Sequence, residues 1–140
     1  MNTTGSDAYL RTQVMTAPPE KLQLMLYEGA IRFATQAREK MAARDYEGSC
    51  ELLVRSQRIV LELMCALRPE MNPSLCGKMG AVYNFVYNRL IEANVAHSFP
   101  ALDDAVEILT VQRNIWLELL DKLVEERAGA RQEQHAGAGA

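Results

Sequence analysis

Residues 18–42 read PPEKLQLMLYEGAIRFATQAREKMA, and this stretch decides the fold. Pro18 and Pro19 stand where a helix can open, because the first turn has no intrahelical use for its N–H groups. From there Leu22, Met25, Leu26, Gly29, Phe33, Ala37 and Met41 recur at three- and four-residue steps. That spacing gathers side chains on one face of a helix. No further proline interrupts the run before Arg44-Asp45, so the stretch predicts one long helix over Pro19 to Ala42.

Three similar stripes follow. Asp45 is placed to cap a second helix, its carboxylate accepting hydrogen bonds from the free N–H groups of the first turn. That helix carries Tyr46, Cys50, Leu53, Gln57, Val60, Met64 and Leu67 and stops before Pro69. Asn72-Pro73 joins a cap to a first-turn proline, and Leu75, Met79, Val82, Val86, Leu90 and Ala93 run on to about Ala96. Ser98 caps a fourth helix with Leu102, Val106, Leu109, Arg113, Trp116, Leu120 and Leu123. Short connections between helices of similar length favour antiparallel neighbours, so the expected fold is all-α, an antiparallel up-down four-helix bundle. Residues 1–17 read as an N-terminal arm and 18–127 as the bundle domain. The Gly- and Ala-rich residues 128–140 have no apolar face and are expected to form a disordered tail.

Composition narrows the function. With 140 residues, 49% hydrophobic and 24% charged, the chain fits one globular domain. A net charge of −3 argues against a nucleic-acid partner, which needs a basic face. Cys50, Cys65 and Cys76 form an odd set without C-x-x-C spacing, and no secretory signal opens the chain, so a cytoplasmic location is expected. Glu62, Glu118 and Asp121 interrupt the most apolar windows, which argues against membrane insertion. His97 and His135 are the sole imidazoles, and there is no Glu-x-x-His pair, haem attachment motif, glycine-rich phosphate loop or G-x-S-x-G. Glu118, Asp121 and Glu125 share a helical face, but nothing in the spacing supplies a ligand from a second helix, and they read as solvated. No catalytic residue, metal or cofactor is assigned, and the chain reads as a protein other than an enzyme.

The apolar residues exceed what one bundle core needs. The first helix has a second row at Leu24, Tyr27, Ile31 and Ala34, and the second adds Leu52, Ile59 and Leu63. The third adds Tyr83, Tyr87 and Ile91, with Phe85 read as buried, and the fourth adds Ile108, Val111, Ile115 and Leu119. Broad helix faces could absorb any one of these, but together they point to grooves in which an amphipathic partner helix docks. Seven methionines would let such grooves repack around a partner. Gln57 and Arg113 interrupt two stripes near their midpoints; they either hydrogen-bond to each other or contact a partner.

Tyr9, Gln13-Val14, Thr16-Ala17, Pro19, Leu22 and Met25-Leu26-Tyr27-Glu28-Gly29-Ala30-Ile31 occur in an order that closely resembles the opening of the FliS family, the cytosolic flagellar export chaperones for flagellin. Tyr83, Phe85-Val86, Arg89-Leu90 and Ala93-Asn94 look like that family's third-helix pattern, and Trp116-x-Glu118 resembles its late signature. Pro18-Pro19 departs from the family's usual Ser-Pro, leaving Thr16 or solvent to serve the first N–H groups, and Asn84 stands where an acid is common.

The resemblance implies a chaperone that binds the C-terminal segment of flagellin, prevents its premature polymerisation and delivers it to the flagellar type III export gate. A regulatory adaptor for other flagellar assembly factors is the alternative. Flagellin-binding residues carried over on this basis are Met25, Tyr27, Ile31 and Phe33 on the first helix and Tyr83, Tyr87, Leu90 and Ile91 on the third. Tyr9 on the arm is the candidate contact with the gate, while Leu26, Val86 and Trp116 are assigned to the core.

Overall fold

The computed structural model describes residues 17–138. They form four helices and, among the described residues, no strand: α1 (Pro19–Ala42), α2 (Tyr46–Cys65), α3 (Pro73–Ala96) and α4 (Phe99–Ala138). Three starts follow the capping chemistry. The Asp45 carboxylate accepts from the Gly48 N–H at 3.0 Å, the Asn72 side chain from the Leu75 N–H at 3.1 Å, and Ser98 Oγ from the Ala101 N–H at 3.2 Å. Pro18 precedes α1 with no side-chain cap, and Thr16 lies outside the described residues. Arg44 (φ 59°) and His97 (φ 50°) take left-handed conformations just beyond α1 and α3 and turn the chain sharply. The His97 ring stacks on Tyr46, with centroids 3.8 Å apart, tying the end of α3 to the start of α2.

Each helix packs against its neighbours in sequence, and α4 closes the ring on α1. Antiparallel register shows in the cross-links. Arg38, late in α1, donates to Asp103, early in α4, at 2.7 Å, whereas Glu20 at the start of α1 meets Trp116 and Arg127 far along α4. Ser56 Oγ in α2 donates to the Ala30 carbonyl in α1 at 2.9 Å, which satisfies a hydroxyl buried between the helices.

The core is built from Tyr27, Ala30, Ala34, Ala37 and Met41 on α1, Leu53, Val60 and Leu63 on α2, Tyr83, Val86, Leu90 and Ala93 on α3, and Ala101, Leu102, Ala105 and Leu109 on α4. On α1 the inward face is therefore rotated from the expected one. A row of alanines faces inward and lets α2 approach closely, to the point that a Cβ at Gly29 would meet Ile59 Cδ1 at 3.1 Å. Leu22, Met25, Leu26 and Phe33 are left at the edge, half-buried. The buried line of α2 likewise runs through Ser49, Leu53, Ser56 and Val60, so Gln57 sits beside the core and Cys50 is exposed. The Arg113 guanidinium reaches the Asn114 side-chain oxygen, at 3.2 Å, rather than Gln57.

Two expectations need correction. Residues 128–138, read as a disordered tail, continue α4 as a helix that is exposed over residues 130–137. Ala, Arg, Gln and Glu are good helix formers whether or not they have an apolar face, and Gly129 and Gly137 each weaken the run by only about 1 kcal/mol. Phe85, read as buried, is about half exposed. No helix among the described residues is long and apolar enough to cross a membrane.

Candidate functional site

Full burial is confined to one half of the bundle. The innermost side chains extend from Met41, Ser49, Ala93 and Ala101 at the end holding the α1–α2 and α3–α4 turns to Tyr27, Leu63, Tyr83 and Leu109. Beyond that level the start of α3 and the second half of α4 have no fully buried residue, yet their sequences stay apolar. Leu75, Ile115, Leu117, Leu119 and Val124 are consequently exposed.

The boundary of the closed half is a polar contact inside an apolar core. The Tyr27 and Tyr83 hydroxyls meet at 2.5 Å, and the Gln23 amide donates to both, at 3.2 and 3.4 Å. Burial, followed by the hydrogen bond with Tyr27, pushes the Tyr83 hydroxyl above the ordinary tyrosine range. Nearby, Trp116 Nε1 donates to the Glu20 carbonyl at 2.7 Å and Arg127 pairs with the Glu20 carboxylate at 2.9 Å, so α4 holds the first turn of α1.

Between α3 and α4 lies an open cleft of about 460 Å³, lined by Ala81, Val82 and Phe85 on one side and Glu107, Ile108, Val111 and Gln112 on the other. Phe85, Val111, Ile115 and Leu119 are 48%, 50%, 48% and 45% exposed. On α4, Ile108, Val111, Ile115 and Leu119 follow at three- and four-residue steps and so share one face. Four residues beyond Phe85, Arg89 bridges to Glu92 on its own helix and to Asp104 on α4 at 2.9 Å. The Arg89 Nε is buried without a partner, and the two carboxylates offset that loss. Such a trough can bind an apolar helical face.

The residues carried over from the third- and first-helix motifs are not gathered in this cleft. Tyr27, Tyr83 and Leu90 are core side chains, because they share the inward stripes of α1 and α3. Ile31 and Tyr87 pack against the core from its edge, and Met25, Phe33 and Ile91 are half-buried. Phe33 lies under the guanidinium groups of Arg32 and Arg55, at 5.2 and 5.7 Å from its ring centroid. Tyr9 lies outside the described residues. Val86 is buried as expected, and Leu26 and Trp116 pack against the core. Of the cleft residues, Phe85, Ile108 and Val111 were visible in sequence as surplus apolar residues and Val82 as part of the main stripe of α3, but heptad spacing could not say which row faces outward, and nothing in the sequence singled out Ala81, Glu107 or Gln112.

Comparison with known proteins gives one consistent result. Residues 1–123 match the family model of the flagellar protein FliS. The flagellar secretion chaperone FliS of Bacillus subtilis is 32% identical over 123 residues, covering 88% of this chain and 91% of the relative. Its counterpart in Vibrio cholerae is 27% identical over 75% of this chain and 77% of its own, and that of Escherichia coli 24% identical over 83% and 89%. In fold, the chain is similar to a crystal structure of a bacterial flagellar chaperone, with a TM-score of 0.70 at 21% identity, covering 84% of this chain and 98% of the other.

Proposed function

This chain belongs to the FliS family of flagellar proteins, and on that premise we propose that it is a cytosolic export chaperone for flagellin. It takes the C-terminal segment of flagellin as an amphipathic helix, keeps it from polymerising prematurely, and delivers it to the flagellar type III export apparatus. The work is done by binding alone, with no catalytic step and no cofactor.

The observation that carries this reading is the open cleft between α3 and α4, where Phe85 and Val111 leave about half their surface uncovered on a chain of net charge −3. Contiguous apolar surface of this kind is kept on a soluble domain for a partner. In this proposal the client's apolar face rests on Val82, Phe85, Ile108, Val111 and Ile115, while Met25, Ile31, Phe33, Tyr87 and Ile91 add contacts where it wraps other faces. Tyr27, Tyr83 and Leu90 support those surfaces from inside, and Tyr9 contacts the gate. A segment that folds as it binds buries about 1,000–3,000 Å² and loses a few kcal/mol to ordering, which still leaves room for a tight complex.

Calorimetric titration of the full chain with the C-terminal segment of the flagellin from the same genome, paired with light scattering of polymerising flagellin, tests the proposal. A one-to-one complex and a concentration-dependent polymerisation delay are expected. The absence of both heat and delay would overturn it.

A further inference from the structure

The cleft between α3 and α4 contains one charged side chain among its lining residues, Glu107. The other charged groups at that end are engaged: Asp104 is held by Arg89, Glu92 by the same guanidinium, and Asp103 by Arg38. Among the described residues Glu107 has no ion-pair partner. A lone carboxylate at the rim of an apolar trough contributes little to the isolated bundle, but it favours one class of occupant over another.

The apolar face of α4 continues beyond the cleft. From the half-buried Ile108 through the exposed Val111, Ile115 and Leu119 it spans roughly 16 Å, at ~1.5 Å rise per residue, or about three helical turns. A docked helix of that length meets Glu107 at one end and, apart from Gln112, apolar side chains along the rest. Resting on the reading of this cleft as a client site, we propose that Glu107 makes it selective for an amphipathic helix carrying Lys or Arg beside its apolar stripe, the cation pairing with the Glu107 carboxylate. A helix with Glu or Asp at the same place would set two carboxylates against each other, so the single acid both attracts and rejects.

The test uses the full chain and two labelled synthetic helices with leucine at i, i+4, i+7 and i+11, one with lysine and one with glutamine beside the stripe. Fluorescence anisotropy should show the lysine helix binding about two- to five-fold tighter, the range of a partly exposed ion pair. Glu107→Gln should bring the ratio close to one, whereas Glu39→Gln, which removes the same charge from an exposed position on α1, should leave it intact. An unchanged ratio in Glu107→Gln overturns the proposal. So does tighter binding of both helices by that variant, the behaviour of a carboxylate that only keeps the trough soluble, and so does a failure of both to bind. A parallel titration with the flagellin segment separates the two levels. If that segment binds while the ratio ignores Glu107, only the selectivity is lost; if Glu107 governs the ratio but flagellin does not bind, the groove serves another basic amphipathic client.

Discussion

The Tyr27 and Tyr83 hydroxyls touch across the bundle, joining diagonal helices α1 and α3 at the level where the packed core gives way to the open half. Removing either hydroxyl leaves the other with Gln23 as its remaining partner. Tyr27→Phe and Tyr83→Phe should each cost about 1–2 kcal/mol in urea unfolding, and the double variant less than the sum. Additive losses would show that the two hydroxyls act independently.

The same pair sets an alkaline limit. Tyr83 is held protonated above the usual tyrosine range by burial and by Tyr27, so the unfolded chain gives up this proton first. Above about pH 10 the unfolded state binds fewer protons than the native one, and stability falls as pH rises. Below that pH both states are protonated and the effect vanishes. Denaturant midpoints from pH 8 to 11 should decline late in the series, and more steeply for the native chain than for Tyr83→Phe.

Groove and core should respond oppositely to substitution. Phe85→Ser and Val111→Ser remove half-exposed surface, so stability should change by no more than about 1 kcal/mol while affinity for the flagellin segment drops about tenfold or more. A melting curve and a titration on the same preparations check both halves of that statement.

Leu53→Ala or Leu109→Ala should instead cost about 2–5 kcal/mol, because each side chain is fully buried and leaves a cavity. Losses much below that range would mean that the alanine-rich interior collapses around the gap.

Deleting residues 129–140 should leave client binding unchanged, since the end of α4 is exposed and Gly129 has nothing near its Cα that a side chain would meet. The helical far-ultraviolet signal should fall in proportion to the residues removed. A clear loss of affinity would assign the extension a part in binding.

Helix starts were the most legible part of the fold. Asp45, Asn72-Pro73 and Ser98 act locally, through hydrogen bonds to an N–H three residues on, so sequence alone placed the starts of α2, α3 and α4. Facing was harder. On α1 the stripe of large residues and the stripe of alanines run side by side, and the alanines won the interior because close approach of α2 to Gly29 and Ala30 leaves no room for larger groups. That choice moved Tyr27 inward, and on α3 the neighbouring stripe left Phe85 at the surface. The existence of a surplus was legible as a count of apolar rows, whereas its location depends on helix rotation, which is a property of the packed bundle.

The ties from Glu20 to Trp116 and Arg127 span 96 and 107 residues of chain. Their consequence is temporal. During synthesis α1 and α2 can pair as soon as they emerge, but the ring has no fourth wall until α4 has left the ribosome. The apolar edges of α1 and α3 face solvent until then, and Trp116 reaches the Glu20 carbonyl only when α4 arrives. Closure of the bundle thus waits for α4, the helix that locks down the start of α1.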